Sequence, residues 1–141
     1  MNKSFVIAWI VLFVLWMAGS FVVHGVLLGA DYASVQQLFR LPADSQQYFP
    51  WMLLAHGLLA GALVWIYARG REAGKAWLGQ GLRFGVAVTL LTIVPTYLIY
   101  YAVQPMPGAI VAKQIVFDGL LVILLGIAAA FMYRNAPSAR A

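Results

Sequence analysis

Four long apolar runs alternate with three polar breaks along the chain, at 5–28, 49–68, 82–103 and 109–133. A helix needs roughly 20 consecutive apolar residues to cross a bilayer core, and each run is about that long. The pattern predicts an all-α transmembrane four-helix bundle, built as one integral membrane domain over 1–141. A secretory signal peptide also begins with a short basic segment such as the one holding Lys3. The first apolar run continues well past an h-region of about 7–15 residues, so an uncleaved first span is expected.

The breaks differ in character. The connector 29–48 is the longest and the most polar. Asp31 or Ser34 is placed to cap a short helix there, with Val35, Leu38 and Phe39 on its apolar face and Pro42 at its end. Tyr48, Phe49 and Trp51 follow where an interfacial aromatic belt is expected, so this outer loop is read as carrying a short interfacial helix. The second break is basic, with Arg69, Arg71 and Lys75 against Glu72. The third, Gln104-Pro105-Met106-Pro107-Gly108, is compact enough to make spans three and four antiparallel neighbours. Inside span three, Pro95 removes a backbone donor and predicts a kink, with Thr92 and Thr96 near enough to satisfy freed backbone groups.

Composition supports the membrane class. The chain is 64% hydrophobic and 9% charged, whereas a soluble domain carries about 25% charged residues. It has no cysteine, which removes disulfides, thiolate metal sites and cysteine catalysis. The net charge of +5 reports membrane orientation here and gives no reason to expect nucleic acid. Lys3, Arg69, Arg71, Lys75, Arg83, Arg134 and Arg140 fall on one side of the predicted bundle, and only Arg40 and Lys113 on the other. The positive-inside rule then puts both termini in the cytoplasm, and the chain is read as a multi-pass protein of a bacterial inner membrane. The tail after Arg134 is small and polar.

One pattern occurs twice. His24-Gly25-Val26-Leu27-Leu28-Gly29 closes the first run, and His56-Gly57-Leu58-Leu59-Ala60-Gly61 opens the second. Gly-x-x-x-Gly lets membrane helices approach closely, so Gly25, Gly29, Gly57 and Gly61 are read as packing surfaces facing each other. Gly79, Gly81 and Gly85 form a glycine-rich entry to span three around Arg83. No strand precedes them and no Gly-Lys-Ser/Thr follows, so they are no phosphate loop.

Topology converts spacing into depth. At the rise of an α-helix, His24 lies roughly 6 Å, His56 roughly 10 Å and Asp118 roughly 14 Å below the outer boundary. Lys113 and Gln114 stand above Asp118 on span four, and Tyr97 comes from the outer half of span three. A polar pocket of Lys113, Gln114, Asp118 and Tyr97 is therefore expected in the outer half of the membrane, with Lys113, His24 or His56 as partner for the costly carboxylate. It would serve a ligand or a proton, or would fix helix register. His24 and His56, at similar depth on antiparallel neighbours, have the residue type and the surrounding glycines for axial ligation of haem b. The alternative is that each histidine bonds a neighbouring group. A zinc or iron site from His24, His56 and Asp118 has suitable ligand types but lacks tight local spacing. No catalytic triad or nucleophile elbow is present.

Gly81-Leu82-Arg83-Phe84-Gly85, the run from Pro95 to Val103, and Lys113-Gln114-Ile115-Val116-Phe117-Asp118 give the chain its likeness to other proteins. Through them it resembles small uncharacterised four-span proteins of bacterial inner membranes. The resemblance implies the class and topology and transfers no activity. The small multidrug transporters differ, since their first span carries a glutamate and this one has no acidic residue.

The leading functional expectation is a non-enzymatic membrane protein acting through helix–helix contacts, as an accessory subunit of a complex or as a homo-oligomer within the lipid bilayer. The alternatives are a small dimeric transporter or channel around Asp118, and a haem b or quinone-linked redox subunit using His24 and His56.

Overall fold

The computed structural model describes residues 3–72 and 74–135. The tail from 136, with Arg140, lies outside them. Among the described residues the chain is helical without a strand. Four helical segments are long and apolar enough to cross a membrane: Lys3–Leu27, Ala43–Gly70, Trp77–Val103 and Gly108–Met132.

The elements are α1 (Lys3–Ser20), continued by a π-helical stretch Phe21–Leu27, then α2 (Gly29–Ala33) and a 3₁₀ turn Gln36–Leu38. Next come α3 (Pro42–Gly70), α4 (Trp77–Val88), a second π-helical stretch Thr89–Ile93, α5 (Val94–Val103) and α6 (Gly108–Met132). Two helices begin earlier than hydropathy suggested. The polar residues 43–47 form the first turns of α3, with Pro42 at its start, where the missing N–H costs nothing. Pro50 therefore sits inside α3. The π stretch of span three immediately precedes Pro95, and Thr92 Oγ1 donates to the Val88 carbonyl at 2.8 Å. The helix thus meets its proline with a widened turn and a side-chain donor.

α6 is the central helix. Its buried residues Ile110, Val111, Gln114, Asp118, Val122, Leu125, Gly126 and Ala129 recur at three- and four-residue spacing, which defines one inward stripe. It packs against α1, α3, α4 and α5, and α1 also packs against α3. Lipid tails are as apolar as leucine, so contact quality, more than exclusion of water, must hold these helices together. The inner core provides it through Leu12, Trp16, Ala60, Val64, Tyr67, Leu125 and Tyr133.

The closest helix approach lies where α4 meets α6. A Cβ on Gly85 would stand 2.6 Å from Cα of Ile123, and one on Gly126 would stand 2.7 Å from Cα of Gly85. A Cβ on Gly81 would come 2.7 Å from the Ala130 methyl. Gly81-x-x-x-Gly85 against Gly126-x-x-x-Ala130 is thus the small-residue crossing of this fold.

The expected crossing of Gly25 and Gly29 with Gly57 and Gly61 does not form within the chain. The antiparallel register that brings Ser20 to His56 leaves Gly25 and Gly29 at the far outer tip. Gly61 instead receives the Trp9 indole, 3.1 Å from where its Cβ would be, and Trp9 Nε1 donates to the Gly57 carbonyl at 2.7 Å. A Cβ on Gly57 or Gly29 would meet nothing within 4 Å.

The connector helix is two short pieces, α2 and the 3₁₀ turn. Its expected apolar residues Val35 and Leu38 pack on Met106, Ile110 and Val111 around the α5–α6 turn. Asp31 makes no side-chain cap.

Candidate functional site: a polar cluster at the connector end

Four elements meet at the outer end. α6 carries Lys113, Gln114 and Asp118; α5 carries Tyr97; the π stretch after α1 carries His24; α2 carries Asp31 and Tyr32. Asp118 is 6% exposed and Gln114 is 7% exposed. They lie one turn apart on the inward stripe of α6, so both project from the same face.

Asp118 has two partners. Tyr97 donates its hydroxyl to Oδ2 at 2.5 Å, and His24 Nε2 stands 3.3 Å from Oδ1. The other His24 nitrogen, Nδ1, is 2.8 Å from the Tyr32 hydroxyl, and the two rings stack at 5.9 Å between centroids. Gln114 Nε2 donates to the same Tyr32 oxygen at 3.0 Å. Above this chain, Lys113 Nζ donates to both oxygens of Asp31 at 2.8 and 2.9 Å.

One arrangement of protons satisfies the chain throughout. A neutral His24 protonated on Nε2 donates to Asp118. Its Nδ1 then accepts the Tyr32 proton, and Tyr32 accepts from Gln114. Protonating Nδ1 as well would displace the Tyr32 proton from its acceptor. Burial pushes the Tyr32 phenol above its usual 10.0, the Gln114 hydrogen bond pulls it down, and the Asp118 and Asp31 carboxylates push it up again.

The expected pocket residues Lys113, Gln114, Asp118 and Tyr97 thus gather at one end, and His24 joins them. His56 does not. Its Nε2 lies 3.1 Å from Ser20 Oγ, its Nδ1 lies 2.8 Å from the Met52 carbonyl, and Trp16 meets its ring edge-on. The two histidines therefore turn to separate partners. Among the described residues no three His, Asp or Glu side chains converge as metal ligands, so His24, His56 and Asp118 do not form such a set. Tyr32 and Asp31 are the members that sequence reasoning missed. A lysine and an amide at adjacent positions of a membrane helix require partners, and that requirement was the available signal.

The geometry favours positioning over bond chemistry. Asp118, His24, Tyr97, Tyr32, Asp31 and Lys113 each have a partner in the cluster, which ties the connector to spans one, three and four. A cleft of about 260 Å³ opens beside Tyr97 and Gln114. No known protein family, curated protein or solved structure matches the chain.

Proposed function

We propose that the chain is a non-enzymatic, self-associating membrane subunit with the outer polar cluster as its internal tie. The observation that carries this reading is a groove of about 610 Å³ between α1 and α3, lined by Val6, Trp9, Ile10, Phe13, Leu53, Leu54, Gly57 and Leu58. Its lining residues are all apolar apart from the Trp9 indole N–H, which already donates to the Gly57 carbonyl. The open space over Gly57 gives the groove a notch for a ridge of side chains from another membrane helix. We take that helix to belong to a second copy. The clustering of Lys and Arg at one end supports a topology with both termini in the cytoplasm of a bacterial inner membrane. The aromatic residues around Tyr48 and Trp51 support an outer interface at the connector.

Gly57→Leu tests the claim, because a Cβ at Gly57 meets nothing within 4 Å inside one chain and the longer side chain fills the groove. Cross-linking in membranes should yield a dimer for the natural chain and lose it for the variant. An unchanged dimer would refute the reading.

A second reading, a small dimeric transporter, is favoured by the contact of His24 with Asp118 inside a span. Under it, Asp118→Asn abolishes proton-coupled flux in vesicles, and full flux in that variant argues against it.

A further inference from the structure

The cleft beside the tie shares Tyr97 and Gln114 with it and is separate from the α1–α3 groove. Its walls include Phe39 of the connector, Tyr97 and Tyr100 of α5, and Met106, with Gln104 and Gln114 among them. No Lys, Arg or His lines it. Aromatic faces carry negative partial charge, and a thioether is soft and polarisable, so these walls favour a cation. Immediately behind Tyr97 stands Asp118. The cluster behind it holds two acidic side chains, Asp31 and Asp118, and one lysine, Lys113.

Gln114 makes the preference sharper. It is 7% exposed, and one N–H of its amide nitrogen goes to Tyr32. Its carbonyl oxygen accepts no hydrogen bond from any described residue, and that atom is not sealed away. Gln104 and the Tyr100 hydroxyl, on the same cleft, likewise bond to no described side chain. The cleft thus offers acceptors and ring faces without a competing cation.

We propose that this cleft binds a primary organic ammonium group. Its N–H groups are donors for the oxygens of Gln114, Gln104 and Tyr100, which all line the cleft, and its carbon chain is suited to the ring faces. The volume of about 260 Å³ admits a small amine or the headgroup of an aminophospholipid. This inference stands apart from self-association, since the groove and the cleft share no lining residue.

Benzylammonium chloride is the probe. The full chain is placed in nanodiscs of phosphatidylglycerol, and binding is followed by calorimetry with empty discs subtracted. Saturable binding is expected, with at least tenfold weaker affinity for Tyr100→Ala and Gln114→Leu and no saturable binding of neutral benzyl alcohol. Tyr100 is half exposed, so its variant keeps the test valid if Gln114→Leu misfolds. Repeating the titration in phosphatidylethanolamine discs separates the sources. A several-fold loss of probe affinity there identifies the lipid headgroup as occupant, and an unchanged affinity identifies a free amine. No saturable binding, equal binding of benzyl alcohol, or unchanged affinity in a folded Tyr100→Ala variant would overturn the proposal.

Discussion

Asp118 of α6 and His24 of the π-helical stretch after α1 stand 3.3 Å apart, Oδ1 to Nε2, near the connector end of the four-helix bundle. The contact answers the question a buried carboxylate raises. Asp118 receives one donor from α1 and one, through Tyr97, from α5, so a single side chain joins three spans. Removing the carboxylate leaves two donors facing nothing. Asp118→Ala should lower stability by about 1–3 kcal/mol, the usual cost of orphaned buried groups. Asp118→Asn, which keeps an acceptor oxygen, should cost less. Thermal denaturation in detergent measures both, and an alanine variant as stable as the asparagine one would count against the tie.

Tyr32 links the connector to α6 and should make stability depend on alkaline pH. Its phenol is raised above 10.0, so the folded state holds the proton more tightly than the unfolded chain. The contribution is fully present below pH 10 and is lost as pH rises through the higher folded value. The advantage of the natural chain over Tyr32→Phe should therefore be constant at neutral pH and shrink above pH 10. Denaturation of the two proteins across that range tests the sign, and an advantage that grows in alkali would reverse it.

Glycines of similar spacing should respond very differently. Gly85→Ala puts a methyl 2.6 Å from the Ile123 backbone, where helices and not side-chain ends would have to move. A loss of about 1–3 kcal/mol is expected, as for other overpacked sites. Gly57→Ala adds a methyl to open space in a helix interior and should be neutral or stabilising by about 0.5–1 kcal/mol. Equal effects of the two substitutions on melting temperature would show that α4 and α6 are not in close contact.

These glycines also show how far the sequence could be read. The four spans were legible because hydropathy over some 20 residues is a strong signal. Helix starts were not, since Asp44, Ser45, Gln46 and Gln47 extend α3 beyond its apolar part and carry no hydropathic mark. The histidine-linked glycine pattern drew attention, yet the close crossing uses Gly81 and Gly85. Their partner Gly126-x-x-x-Ala130 has the same small-residue spacing, and which pairs meet depends on helix order and register. Depth arguments put Lys113, Gln114, Asp118 and Tyr97 at one end, where Tyr97 bonds Asp118 and Lys113 and Gln114 bond the connector. They could not separate His24 from His56, because that choice rests on rotation about the helix axis, set at His24 by a π-helical turn. Tyr32 and Asp31 stayed hidden because a tyrosine or aspartate in a polar connector is unremarkable until its partner is seen.

The most direct test of self-association is a native mass spectrum of the protein released gently from its own membrane. The account predicts a species of two copies of the 15.4 kDa chain, reduced to one copy by Gly57→Leu. A single unassociated chain from the natural protein would contradict it, as would a dimer that survives Gly57→Leu.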